Sequence, residues 1–472
     1  MSQDSLIGIQ ISPISFIDEG VDDVLETLQT RASVNTLFIG TVSWLGLKVG
    51  RSISHELDGF PDHGIPEPMA LQGGAYFEPH PEYYTNTLIK DFRSKDPQMV
   101  GKDILNMVIP AAKARGMRVY VELMEPFFKY AGHGSASSVN IPNMPQCLEV
   151  DCYGRIGSEP STSEPNYRRW IHGIIEDQCR NYELTGIMWC NERRSPLDQV
   201  FSGSAPGDFS PASAGEANQQ GINVELTKKA FREVVEVVND IRTSSADAHD
   251  GALVEILRVL LANPEVFVWE KFWLTRNKDL DRELYGLVKW INPNLQFGLN
   301  VWNRNHFSLL RKAQWPWAEQ VRYADWVKPI TYQHQAGEIY QREMKQWHAS
   351  LLKDVSPDLF TPLMYQFLGL DEAPWQSLMQ TGMNPDTYIY GQCEDAVRGV
   401  NGQIPVYMGL GVDAPRVHPD QAKCTPEIVY QSVLATYKAG GQGVIFSPNY
   451  ASMNLTNLDG ATKAFKELGI VA

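Results

Sequence analysis

Thr185-Gly-Ile-Met-Trp-Cys-Asn-Glu-Arg-Arg-Ser-Pro196 passes without a break from an apolar segment into Asn191, Glu192, Arg193 and Arg194. A strand buried on both faces reads as a continuous apolar run. This one ends by presenting a carboxylate beside two cations, and in parallel α/β sheets a ligand lies just past the carboxyl ends of the strands. The competing reading is that Glu192 only neutralises Arg193 or Arg194 at the base of a loop, because structural ion pairs are common near strand ends.

Working outward, the same kind of strand recurs on both sides. Upstream lie Leu6 to Ser12, Val34 to Gly40 and Met117 to Leu123; downstream lie Leu295 to Trp302, Asp325 to Tyr332, Ile404 to Gly411 and Val444 to Asn449. Between them, amphipathic spacing predicts helices over 21–30, 99–114, 167–180, 224–241, 253–262, 279–290, 314–323, 337–352, 374–400, 426–439 and 458–468. Eight strands alternating with helices, with no low-complexity linker, predict an α/β fold of the (β/α)8 barrel type as one domain over residues 1–472. An open doubly wound sheet would need a glycine-rich phosphate turn after an early strand, and the chain has none. Long connections follow the second, third and fourth strands, over about 41–95, 124–165 and 191–221. In a barrel all three fall on the face that carries the site.

Composition narrows the partners. The chain has 472 residues, 43% hydrophobic and 21% charged, with a formal charge of −15. That excess of acid argues against nucleic acid and anionic membrane as main partners, since both need a basic footprint. Six cysteines without a CxxC pair imply neither a structural zinc nor a disulfide scaffold, so they read as free thiols. The first residues lack a basic-then-apolar leader and no 18-residue apolar run occurs, which leads to the expectation of a cytoplasmic protein. Self-association into a homo-oligomer stays open.

Polar residues at the strand ends form one candidate ring: Gln10, Ser12, Ser43, Trp44, Glu122, Glu125, Asn191, Glu192, Asn300, Trp302, Asn303, Tyr332, Gln333, His334, Asp413 and Asn449, with Glu338 just beyond. Amides and carboxylates match hydroxyl donors and acceptors. Aromatic faces at Trp44, Phe127, Trp189, Trp302, Tyr332 and Tyr450 can cover a sugar ring or fill the core. A carbohydrate is therefore the expected ligand. Two facing carboxylates can cleave a glycosidic bond, one protonating the leaving oxygen and the other acting as nucleophile or base. Glu192 is the first, and Asp413, from the strand opposite in an eight-stranded barrel, is the expected second. Glu122, Glu125 and Glu338 are alternatives for that second role. Arg193, Arg194 and Arg416 can hold an acidic substituent or make structural pairs. No cofactor and no metal is expected. His334 opens a different class, a metal-dependent sugar isomerase or epimerase built on Glu192, His334 and Asp413, although the eighth strand then offers only Asn449 where a carboxylate would be wanted. A third class is a barrel that binds carbohydrate without cleaving it.

Asn191-Glu192 at the end of the fourth strand resembles the Asn-Glu acid/base dipeptide of retaining (β/α)8 glycoside hydrolases. The runs Ala112 to Val119, Thr185 to Leu197, Phe297 to Trp302 and Tyr323 to Ile330 resemble the hypothetical glycoside-hydrolase-like barrel proteins of bacteria. The resemblance implies carbohydrate chemistry, an acid/base role for Glu192 and a 2-hydroxyl contact for Asn191. It departs at the seventh strand, where the retaining enzymes carry glutamate and this chain has Asp413.

Overall fold

The computed structural model describes residues 5–43, 73–125, 141–244, 249–413 and 420–471. Eight parallel strands close into a barrel in chain order. They are β1 (Leu6–Ile11), β2 (Thr36–Gly40), β3 (Arg118–Met124), β4 (Gly186–Cys190), β5 (Gln296–Val301), β6 (Trp326–Thr331), β7 (Tyr407–Gly411) and β8 (Gly443–Ser447). β1 pairs with both β2 and β8, so no edge strand is left in the sheet. All eight expected strands are present, several shorter by a few residues than the apolar runs suggested.

Around the barrel run α1 (Val21–Ala32), α2 (Ile104–Ala114), α3 (Pro165–Asn181), α4 (Val224–Thr243), α5 (Ala252–Ala262), α6 (Glu265–Ile291), α7 (Gln333–His348), α8 (Tyr390–Val400), α9 (Pro426–Lys438) and α10 (Leu455–Glu467). Side-chain caps fix several starts: Asp103 accepts from the amides of Leu105 and Asn106, Asn223 from Leu226, and Thr425 from Ile428 just before Pro426. Three helical expectations change, and one of them is the segment expected over 374–400, which is three pieces, Leu378–Thr381, Pro385–Ile389 and α8. The segment expected at 279–290 is the end of a 27-residue helix, α6, whose polar Asn277 and Lys278 are buried and so broke the apolar period. The segment expected at 314–323 is two short helices, Leu309–Gln314 and Trp317–Gln320, separated at Pro316.

The connections after β3 and β4 carry structure of their own. A hairpin, Leu148–Val150 with Ile156–Pro160, stands in the first, and helices Pro196–Phe201 and Pro211–Gln219 in the second. α4, α5 and the start of α6 share a satellite core with Leu197, Val200 and Phe209.

The barrel interior changes character along its axis. One layer is an apolar plug of Leu6, Phe38, Tyr120, Met188, Trp326 and Ile445, with Phe38 stacked on Tyr120 at 4.9 Å and edge-on to Trp326 at 5.6 Å. Gly298 makes room for the indole, since a Cβ there would lie 2.1 Å from the Trp326 ring. Toward the carboxyl ends the inward positions turn polar: Glu122, Cys190 and Lys328 two residues past the plug on their strands, and Gln10 four past Leu6. The plug is the floor of the site.

Candidate active site

Strand alternation decides which side chains face the barrel axis. On β4, Met188 lies in the plug, so Cys190 and then Glu192 follow it on the inward face, while Trp189 and Asn191 turn outward. Trp189 donates from Nε1 to Asp281 of α6 across 2.8 Å, and Asn191 lies in the same small cavity as Trp189 and Asp281. Asn191, expected to contact a 2-hydroxyl, thus borders a different cavity from the cleft that Glu192 lines.

The inward polar layer is one hydrogen-bonded group. Lys328 is wholly buried and reaches across the axis to donate to Gln10 Oε1 at 2.6 Å; Gln10 Nε2 in turn donates to Glu122 Oε1. Gly409 clears the path, because a Cβ there would stand 2.6 Å from Lys328 Cε. Tyr332 closes the group with its hydroxyl 3.3 Å from both Lys328 Nζ and Gln10 Oε1. Burial pushes the Glu122 carboxyl up, opposed by Lys328, and pushes the Lys328 ammonium down, opposed by Glu122. Above them, Asn300 Nδ2 donates to Cys190 Sγ at 2.9 Å and the thiol donates to Glu192 Oε1 at 3.2 Å. Burial raises the Glu192 carboxyl, and Glu192 makes no ion pair among the described residues.

Glu192 borders a cleft of about 570 Å³, lined also by Glu125, Glu149, Glu159, Arg193, Arg194 and Trp302. Most of its charges are already matched. Arg193 binds Glu125 through Nε at 2.5 Å and Nη2 at 2.7 Å, and Glu149 through Nη1 at 2.9 Å, while Tyr167 donates to Glu125 at 2.8 Å. Arg194 pairs with Glu343 at 3.2 Å, and Arg304 pairs with the same carboxylate. Trp302 lies beneath two guanidinium groups, those of Arg304 and Arg311 at 4.8 and 4.6 Å from its ring centre. Glu159 differs: its Oε2 is buried without a partner among the described residues, and burial pushes its carboxyl up to about 7.

The remaining expected residues disperse. Asp413 accepts from Asn454 at 3.3 Å and Asn457 at 3.4 Å at the start of α10. Asn449 bridges the ends of β1 and β8, accepting from the Ser12 and Ala451 amides and donating to Ser12 Oγ. Glu338 lies on α7 in an ion pair with Arg342 at 3.1 Å, one helical turn away. His334 rests against β7, where a side chain at Gly411 would strike its ring, and borders a second cavity of about 470 Å³ with Gln333, Glu372 and Asn384. Burial pushes its imidazole down to about 4, so the ring is neutral. Among the described residues no three His, Cys, Asp or Glu side chains stand together as a metal site, so Glu192, His334 and Asp413 do not form a ligand set. Trp44, Phe127 and Arg416 lie outside the described residues.

Sequence reasoning missed Lys328, Cys190, Glu149 and Glu159. Lys328 left a readable signal, a charge at an inward position of the apolar run Trp326–Thr331. Glu149 and Glu159 left none, because loop residues have no period from which a direction can be read.

No protein-family model and no curated protein matches the sequence. Solved structures of similar fold do exist. The PgaB (BpsB) glycoside hydrolase domain from Bordetella bronchiseptica aligns with a TM-score of 0.50 at 10% identity, over 99% of this chain and 98% of that one. The alpha-L-fucosidase isoenzyme 2 from Paenibacillus thiaminolyticus aligns with a TM-score of 0.50 at 10% identity, over 99% of this chain and 49% of that one. The beta-galactosidase from Marinomonas ef1 gives a TM-score of 0.50 at 10% identity, over 98% of this chain and 59% of that one. The chain thus spans about half to three-fifths of the last two proteins. The fold is a (β/α)8 barrel, as in these three solved structures. At this identity the likeness extends to the fold alone. Among the described residues no helix is long and apolar enough to cross a membrane.

Proposed function

We propose that this protein is a glycoside hydrolase in which Glu192 is the general acid/base. One observation carries the reading: at the carboxyl end of β4 a carboxyl group with a burial-raised proton affinity borders a cleft and is bound by a thiol instead of a cation. A carboxyl group whose proton affinity is raised by burial is suited to protonating a glycosidic oxygen. The substrate is a carbohydrate, bound in the cleft beside Trp302 and Glu159.

The opposing carboxylate is proposed as Asp413, because β7 stands three strands from β4 around the barrel and the carboxyl ends of both open on the same mouth. With the resemblance of Asn191-Glu192 to the retaining type, this gives cleavage with retention of configuration. One observation favours a second pairing: Glu159 lines the same cleft as Glu192.

The test is turnover of a panel of aryl glycosides by the wild type and Glu192→Gln. The variant keeps the shape of the side chain and removes its proton, so hydrolysis should fall by at least ~100-fold, the usual scale for general acid/base catalysis. Near wild-type turnover would refute the assignment. Saturable sugar binding with no turnover of any glycoside would point to a binding barrel, and activity that depends on an added divalent metal would point to an isomerase. NMR of the first-formed sugar gives the stereochemistry, and an inverted product would refute retention.

A further inference from the structure

Helix α5 reads Ala252-Leu-Val-Glu-Ile-Leu-Arg-Val-Leu-Leu-Ala262, with only Glu255 and Arg258 polar. A helix that is apolar nearly all round is normally covered all round. Here one stripe, Ala252, Ile256 and Leu260, is buried in the satellite core. The neighbouring stripe is not. Leu253, Val254 and Leu257 are 43, 47 and 48% exposed, and Leu261 is 79% exposed. At 100° per residue these four side chains occupy an arc of about 100°, a single straight seam along the helix. Beyond Asn263-Pro264 the apolar surface continues on the first turns of α6, where Phe267 and Val268 are each 49% exposed.

We infer that this seam is the interface of a two-fold homodimer, with α5 of one copy packed antiparallel against α5 of the other. Three observations select a second copy as the occupant. First, the seam is self-complementary: Leu253, Leu257 and Leu261 recur every four residues, so a two-fold axis through Leu257 sets Leu253 of one copy against Leu261 of its partner. Second, the size fits. Six half-exposed apolar side chains leave on the order of 500 Å² open, at the top of the range for one patch on a monomer and approaching the ~800 Å² per partner of a specific dimer once the rim is added. Third, the borders do not suit a lipid surface. Asp250 pairs with Arg258 at 2.5 Å beside the seam, Glu265 stands at the start of α6, and the chain carries a net charge of −15, whereas interfacial helices carry a basic polar face. The inference is independent of the proposed hydrolase activity.

Light scattering on the eluting 472-residue chain is the first measurement, with an expected mass twice the chain's 53.1 kDa. The double variant Leu257→Glu/Leu261→Glu should elute at the monomer mass with unchanged circular dichroism, because both side chains already meet solvent. Cysteine pairing tests the geometry, against a background of native cysteines that are all buried. Under mild oxidation Leu257→Cys should link to itself, while Leu253→Cys should link only when mixed with Leu261→Cys. A monomeric wild type, a dimer that survives the double glutamate variant, or Leu253→Cys linking to itself would each overturn the inference. So would sedimentation of a monomer with phosphatidylcholine vesicles.

Discussion

Cys190 Sγ donates to Glu192 Oε1 across 3.2 Å, from the last residue of β4 to the carboxyl group two residues past its end. The thiol cannot turn away easily, since Asn300 Nδ2 holds its sulfur at 2.9 Å. A donor to the ionised carboxylate lowers its proton affinity and so works against burial. Cys190→Ala should therefore move the alkaline limb of the kcat/KM profile to higher pH, because Glu192 stays protonated longer. Cys190→Ser keeps a donor and should leave the limb nearly in place. An unmoved limb in Cys190→Ala would show that the thiol does not tune Glu192.

The two candidates for the opposing carboxylate are separable by kinetics. Asp413→Asn should lower kcat by at least ~100-fold, the loss expected of a reacting group. Glu159→Gln should raise KM by about tenfold with kcat nearly unchanged, as for a group that binds ground and transition states alike. The reverse pattern would transfer the opposing role to Glu159.

Lys328 is a stability determinant because it supplies the cation closest in effect to Glu122, through Gln10. Lys328→Met should destabilise the fold by about 3 kcal/mol, the scale for breaking a buried charge pair. Adding Glu122→Gln should recover much of that loss in urea titrations. A double variant less stable than the single would show that the two charges are not coupled.

Asp281 gives a pH signature. Burial pushes its carboxyl from an ordinary 3.8 up to about 7 while it accepts the Trp189 indole N–H. Between those values the folded state holds a proton that the unfolded chain has released. The contribution is thus complete below about pH 4 and is lost as pH rises toward 7, on the order of 4 kcal/mol in all. Asp281→Asn stays neutral and accepts the same N–H, so its stability relative to wild type should rise over that window. Parallel pH–stability curves for the two proteins would contradict the shift.

The barrel was legible in the sequence because every strand is an apolar run of the right length, closed by the same turn into polar residues. The place of Glu192, just past the carboxyl end of β4, was legible for the same reason. Asn191 was read with Glu192 as one dipeptide, whereas its place beside Trp189 and Asp281 depends on how α6 packs. Asp281 shows the deeper limit: it meets Trp189 only after α6 has packed on the barrel, and nothing at position 281 announces that contact. Glu159 is harder still, since a hairpin's register against the strand ends is set by Arg193, Glu125 and Glu149 together.

That buried triad makes the hairpin and the end of β4 a single mechanical part. Arg193 follows Glu192 directly in the chain, and its guanidinium holds both the root of the insert, at Glu125, and its first strand, at Glu149. Exchanging the hairpin for that of another barrel would strand Arg193 as a buried cation with half its partners gone. A graft intended to change which sugar the cleft accepts must therefore carry residue 193 along with residues 125–160, so the smallest exchangeable cassette already reaches within one peptide bond of Glu192.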